Sequence, residues 1–168
     1  GGDAENVIDY VTIATTGNAL DFGDLYNITN HNASAESRTR GLSINGANPS
    51  HSNIIQYITM STLGNAADFG DSSGAGYGSS GCGNAIRAVY NNGNNGGHTN
   101  SIGYNTIATL GNGADFGDLS RTFYGPGTAS SRTRGVFAGD YPSSSDNIEY
   151  VQIASTGDAL DFGNLVSG

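Results

Sequence analysis

Four times along the chain, a run dense in β-branched and aromatic residues is followed by glycine with Asn or Asp, and then by a short phrase around a phenylalanine. In the first copy, Ile8-Asp9-Tyr10-Val11-Thr12-Ile13-Ala14-Thr15 carries apolar groups on both faces, with Ile8 and Tyr10 pointing one way and Val11 and Ile13 the other. That pattern predicts a strand sandwiched between layers. Gly17-Asn18 supplies a tight turn, and Leu20-Asp21-Phe22 reads as the returning strand of a hairpin whose large apolar anchor is Phe22.

The run and the phrase recur together. Ile8-Asp9-Tyr10 returns as Ile55-Gln56-Tyr57, Ile102-Gly103-Tyr104 and Ile148-Glu149-Tyr150, at steps of 47, 47 and 46 residues. Asp21-Phe22-Gly23-Asp24 returns as Asp68-Phe69-Gly70-Asp71, Asp115-Phe116-Gly117-Asp118 and Asp161-Phe162-Gly163-Asn164. A second half-unit lies between these copies: Arg38-Thr39-Arg40-Gly41-Leu42 and Arg132-Thr133-Arg134-Gly135-Val136, with a degenerate middle version in Ala85-Ile86-Arg87-Ala88-Val89. Each second half reads as one strand with a weaker strand ahead of it. The segment from Asp71 to Asn84 is too rich in glycine to specify its own register. The chain therefore divides as a half-unit 1–26 and units of about 27–73, 74–120 and 121–168 within a single repeat domain.

Composition supports an all-β reading. Gly, Ser, Thr and Asn make up 79 of 168 residues, lysine is absent and glutamate occurs 3 times, so the usual stock of helix surfaces is missing. The net charge of −9 repels phosphate backbones and anionic headgroups, which excludes nucleic acid and membrane surfaces as natural partners. Neither a membrane-length apolar run nor a basic and apolar leader is expected, and the missing initiator Met suggests a processed or excerpted chain. A single cysteine, Cys82, cannot form a disulfide within the chain.

Four short strands in about 47 residues is the content of one β-propeller blade. The run from Arg134 to Gly139, followed by Ile148 to Ile153 and Gly157 to Gly163, resembles a kelch-related blade. It is still more similar to the tandem repeats of large tail-fibre and appendage proteins of marine and freshwater bacteriophages. The chain departs from kelch in lacking a consistent Gly-Gly pair and any Trp, so no partner-binding residue carries over. Propellers have four to eight blades, and this chain holds fewer than four units, so the ring is expected to close only with other copies or in a longer chain. The alternative is an open β-repeat or solenoid array whose uncovered ends pair with further copies. An isolated monomer is expected to be marginal, with stability that depends on concentration.

Candidate chemistry is sparse. Asp-Phe-Gly resembles the metal-binding phrase of protein kinases, but without lysine that reading fails. Asp21 with Asp24, Asp68 with Asp71, and Asp115 with Asp118 are weak Ca²⁺ candidates, outweighed by Asp side chains closing their own turns. Arg40, Arg87 and Arg134 are expected to pair with turn aspartates. Tyr10, Tyr57, Tyr104 and Tyr150, together with Phe22, Phe69, Phe116 and Phe162, are expected to be structural. Gly76-Tyr77-Gly78-Ser79-Ser80-Gly81 matches a dinucleotide fingerprint by chance, with no helix to follow it. His51 and His98 read as equivalent surface turns and His31 as unrelated, so no catalytic constellation forms, and no enzyme activity and no cofactor are expected. Asn27 and Asn32 begin glycosylation patterns that are expected to be bare in a phage or bacterial setting.

The expectation is a structural and adhesive repeat protein, a self-assembling subunit or segment of an extracellular fibre or filament such as a phage tail fibre. It would sit outside the cell or on the virion surface and contact a surface receptor. A lectin-like module, binding glycan through loops such as Tyr90 to Asn95, is the alternative. An intracellular kelch-type scaffold would need a longer chain.

Overall fold

The first apolar run and the phrase around Phe22 form a hairpin, β1 (Val7–Tyr10) with β2 (Leu20–Asp24), in the computed structural model, which describes residues 5–139 and 145–166. Three four-stranded antiparallel meanders follow. The first holds β3 (Ala33–Glu36), β4 (Arg40–Ile44), β5 (Ser52–Thr59) and β6 (Ala67–Gly76). The second holds β7 (Gly81–Gly83), β8 (Arg87–Asn91), β9 (Ser101–Thr106) and β10 (Ala114–Asp118). The third holds β11 (Gly127–Ser130), β12 (Arg134–Ala138), β13 (Asn147–Gln152) and β14 (Leu160–Asn164). Among the described residues there is no helix, and no sheet closes on itself.

The strand expected over residues 8–15 is shorter than its pattern. β1 ends at Tyr10 and the chain turns, with Thr15 N–H donating to the Thr12 carbonyl at 3.2 Å. The same turn closes the other copies, with Thr62 N–H donating to the Thr59 carbonyl, Thr109 to Thr106 and Ser155 to Gln152, so the run ends there with or without a neighbour. β1 stops earlier still: in the next copy β4 pairs along β5, setting Arg40 opposite Thr59 and Gly41 opposite Ile58, whereas among the described residues no strand flanks the outer edge of β1. Val11 and Ile13, expected to face a layer, are exposed. The weaker strands ahead of the arginine phrases are β3, β7 and β11. In the glycine-rich stretch β6 runs on to Gly76, past the boundary read at 73, but its pairing with β5 breaks after Asp71, opposite Ile54, and resumes at Gly76, opposite Ser52.

The core lies between successive sheets rather than inside one. Ala33, Ala35, Leu42, Ile44, Ile55 and Phe69 of the first meander meet Ala88, Tyr90 and Ile107 of the second. Cys82, Val89, Ile102 and Phe116 of the second meet Phe137, Val151 and Ile153 of the third. Tyr90 is fully buried and donates to Asn105 Oδ1 at 2.9 Å. Two glycines make room for it: a Cβ at Gly103 would come within 2.6 Å of the ring, and one at Gly113 within 2.2 Å of the hydroxyl.

Buried polar side chains tie consecutive units. Gln56 on β5 receives Asn27 N–H at Oε1 and donates from Nε2 to the Asn27 carbonyl, both at 2.9 Å. Its counterpart Glu149 on β13 accepts from Ser120 N–H at 2.9 Å, from the Ser120 hydroxyl and from Asn147 Nδ2. Removing one side of such a buried pair strands the other. Gln56→Ala is expected to lower stability by about 1–3 kcal/mol, read from denaturant unfolding. Burial also pushes the Cys82 thiol up to about 12, so the reactive thiolate is scarce at neutral pH. Iodoacetamide is expected to leave Cys82 unmodified in the native protein at pH 8 and to alkylate it rapidly in 6 M guanidinium, with mass spectrometry as the readout.

Candidate assembly interface

Every Asp-Phe-Gly phrase is a β-bulge. Ile8 stands opposite Gly23 and Asp9 opposite Asp21, so Phe22 is an extra residue with no partner across the hairpin. The same shift leaves Phe69, Phe116 and Phe162 unpaired. A bulge disrupts the local ladder and re-aims the groups around it. Each bulged ring meets the tyrosine of its own hairpin edge to face: Tyr10 with Phe22, Tyr57 with Phe69, Tyr104 with Phe116 and Tyr150 with Phe162, at centroid distances of 6.1, 5.9, 5.7 and 5.9 Å.

The backbone freed by the bulge bonds to the next unit. The Phe22 carbonyl accepts from Gly64 N–H at 2.8 Å, the Asp24 carbonyl accepts from Ala66 N–H at 2.7 Å, and Asp24 N–H donates to Asn65 Oδ1 at 3.0 Å. Phe69 and Asp71 bond in the same way to Gly111, Asn112 and Gly113, and Phe116 and Asp118 to Gly157, Asp158 and Ala159. Thus the Gly-Asn or Gly-Asp turn of one hairpin clasps the bulged strand of the hairpin before it.

Glycine is obligatory on the receiving side. Gly23, Gly70 and Gly117 hold φ of +148°, +139° and +143°, and a Cβ on any of them would come within 2.5–2.7 Å of the clasping glycine's carbonyl carbon. On the other side Gly64, Gly111 and Gly157 share φ of +144°, +146° and +152°, while Gly17 lies outside that left-handed range.

The two ends of the array each present one half of this clasp. At the last copy, nothing lies within 4 Å of a Cβ on Gly163, and Phe162 is 55% exposed where Phe22, Phe69 and Phe116 are 8, 2 and 2% exposed. At the first copy, the Gly17-Asn18 turn stands in solvent.

The arginines act in the same register. The guanidinium of Arg40 lies 4.8 Å over the Tyr57 ring and donates from Nη1 to the Ile107 carbonyl of the following unit at 2.8 Å. Arg87 lies 4.8 Å over Tyr104 and donates to the Ile153 carbonyl at 3.0 Å. Arg134 lies 4.6 Å over Tyr150. The expected pairing of Arg40 and Arg87 with turn aspartates gives way to this arrangement, because the fork reaches a carbonyl of the next sheet while the tyrosine holds its stem.

Of the aspartates read as weak calcium ligands, Asp21, Asp68, Asp71, Asp115 and Asp118 are exposed and Asp24 is half-buried. Among the described residues no three His, Cys, Asp or Glu side chains come together as a metal site. The clasp uses the backbone of Asp24, Asp71 and Asp118, which the carboxylate reading did not anticipate.

All three histidines, in contrast, lie on one strip. His51 stacks on Tyr77 at 4.8 Å, His98 stacks on Tyr124 at 5.4 Å, Tyr77 meets Tyr124 edge to face at 5.4 Å, and His31 meets Tyr77 at 6.3 Å. Beneath them His31, Gly78 and Gly125 bond one to the next, Gly78 N–H to the His31 carbonyl and Gly125 N–H to the Gly78 carbonyl. The 47-residue spacing of Tyr77 and Tyr124 was the available signal, since it repeats that of His51 and His98.

Comparison with protein-family models and with curated proteins finds no match to this chain. The end-to-end asymmetry is directly testable. Phe116→Ala is expected to cost about 3–5 kcal/mol of stability, whereas Phe162→Ala in dilute solution, which loses a half-exposed ring and its edge contact with Tyr150, is expected to cost about 1–2 kcal/mol, both read from urea unfolding.

Proposed function

We propose that the chain is a structural repeat protein, a subunit or segment of an extracellular fibre or filament of the phage tail-fibre kind, which self-assembles and meets a surface receptor with its loops. The single observation that carries this reading is the clasp: it joins consecutive units three times within the chain, and its two halves are displayed at opposite ends. Contacts of that kind are heterologous, and a heterologous contact generates either a ring or a filament.

At the level of fold, the proposal is that each four-stranded meander is a kelch-like propeller blade, closed only with other copies or in a longer chain. An open stacked array is the alternative geometry. Packing of successive sheets face to face, with the core between them, is compatible with both. In this reading the protein carries no enzyme activity, and its place is outside the cell or on the virion surface. The His–Tyr strip and the exposed Asn95 beside His51 offer polar and aromatic groups for receptor contact, which is also what a lectin-like module would use, whereas Tyr90, Asn91 and Asn92 of the loop expected to meet glycan are buried.

Negative-stain or cryo-electron microscopy tests the assembly. Filaments or multi-chain rings that appear as concentration rises, together with a melting temperature that climbs over the same range, are the expected result. Dispersed monomers at every concentration, with a constant melting temperature, would overturn the reading.

A further inference from the structure

We propose that a second copy of this chain docks head to tail, its Gly17-Asn18-Ala19 turn seating on the Asp161-Phe162-Gly163-Asn164 strand of the first copy through the same bonds that join units within the chain. The inference rests on the assembly reading above and names the contact that would carry it. Three internal examples define the bonds. A glycine N–H donates to the bulged phenylalanine carbonyl, the N–H two residues later donates to the carbonyl two residues beyond the phenylalanine, and the Asn or Asp between them accepts at Oδ1 from the backbone N–H of that last residue. Transferred to the ends, Gly17 N–H donates to the Phe162 carbonyl, Ala19 N–H to the Asn164 carbonyl, and Asn18 Oδ1 accepts from Asn164 N–H.

Four features of the free ends fit this occupant. Gly163 keeps φ of +139°, matching Gly70 and Gly117, so the receiving strand is already in its bonded shape. Asn164 replaces the aspartate of the other copies and engages only through its backbone, so the change leaves the bonds intact. Ile13, 97% exposed, occupies the position of Ile107 and Ile153, which are 1 and 0% exposed and whose carbonyls hold Arg40 and Arg87. On the first copy, Arg134 stands ready for the Ile13 carbonyl of the second. The incoming turn meets backbone donors and acceptors in the geometry of the three internal clasps.

Among the described residues there are four hairpins and three leading strand pairs. Docking therefore continues the hairpin column without a break and leaves one two-strand slot at each junction, beside β1. Gly17 shifts into the left-handed range of its counterparts as it seats.

Sedimentation velocity on three proteins tests the contact. Gly163→Val closes the receiving strand and keeps a working turn; Ala19→Pro deletes the second donor and keeps a working strand. Asn18→Ala, which removes only the side-chain acceptor, stands in for Ala19→Pro if circular dichroism shows that the proline variant is misfolded. The wild-type chain is expected to form oligomers that grow with concentration. Each variant alone is expected to associate at least about tenfold more weakly, and the two mixed are expected to form a 1:1 complex that stops there. Variants that assemble like wild type, or that stay apart when mixed, would overturn the docking mode and leave the assembly reading standing. A wild-type chain that stays monomeric throughout would overturn both.

Discussion

One surplus residue per hairpin governs how this molecule is built. Because the phenylalanine of each Asp-Phe-Gly phrase has no partner across its own hairpin, the strand bends there and presents its carbonyls to the next unit. The glycine that follows permits the positive φ and also removes the only atom that would collide with the incoming turn. Bulge, glycine and turn form a single device. It converts an otherwise self-satisfied antiparallel hairpin into a link in a chain of units.

From that link the rest of the packing follows. A four-stranded meander this short in apolar residues has little interior of its own, so each sheet buries its face against the next and the core appears as layers between sheets. The arginines follow the same logic: tyrosine in one unit carries the guanidinium, and a carbonyl in the next receives it. Buried Gln56 and Glu149 close the loops that lead from one unit to the following one. Stability is shared between neighbours, and the outermost hairpins are correspondingly bare.

Charge sits apart from these contacts. The carboxylates of the Asp-Phe-Gly phrases face mainly solvent, while the bonds that hold the units use backbone groups and amide side chains. A net charge of −9 on such a surface keeps non-specific contacts weak, since like-charged faces repel. Any pairing between copies then depends on the directional bonds of the clasp. The histidine–tyrosine strip is the other concentration of side-chain chemistry, and its rings already stack on one another.

The residue pattern by itself determined the repeat, the hairpins and their apolar anchors, because alternation, turn glycines and a fixed 47-residue step are local signals that recur. It also marked Arg40 and Arg87 as structural, though with the wrong partner, since the Ile107 carbonyl lies 67 residues from Arg40 and no motif announces a backbone oxygen. Tertiary structure alone decided that β1 stops at Tyr10, because strand length there depends on a neighbour that β5, β9 and β13 possess and that β1, among the described residues, lacks. It alone gathered His31 with His51 and His98, which share a column of the repeat that His31 does not. It alone revealed that the repeated phrase matters for its backbone rather than for its carboxylates. A sequence records side chains, whereas the direction in which a bulged carbonyl points is set by the strand beside it.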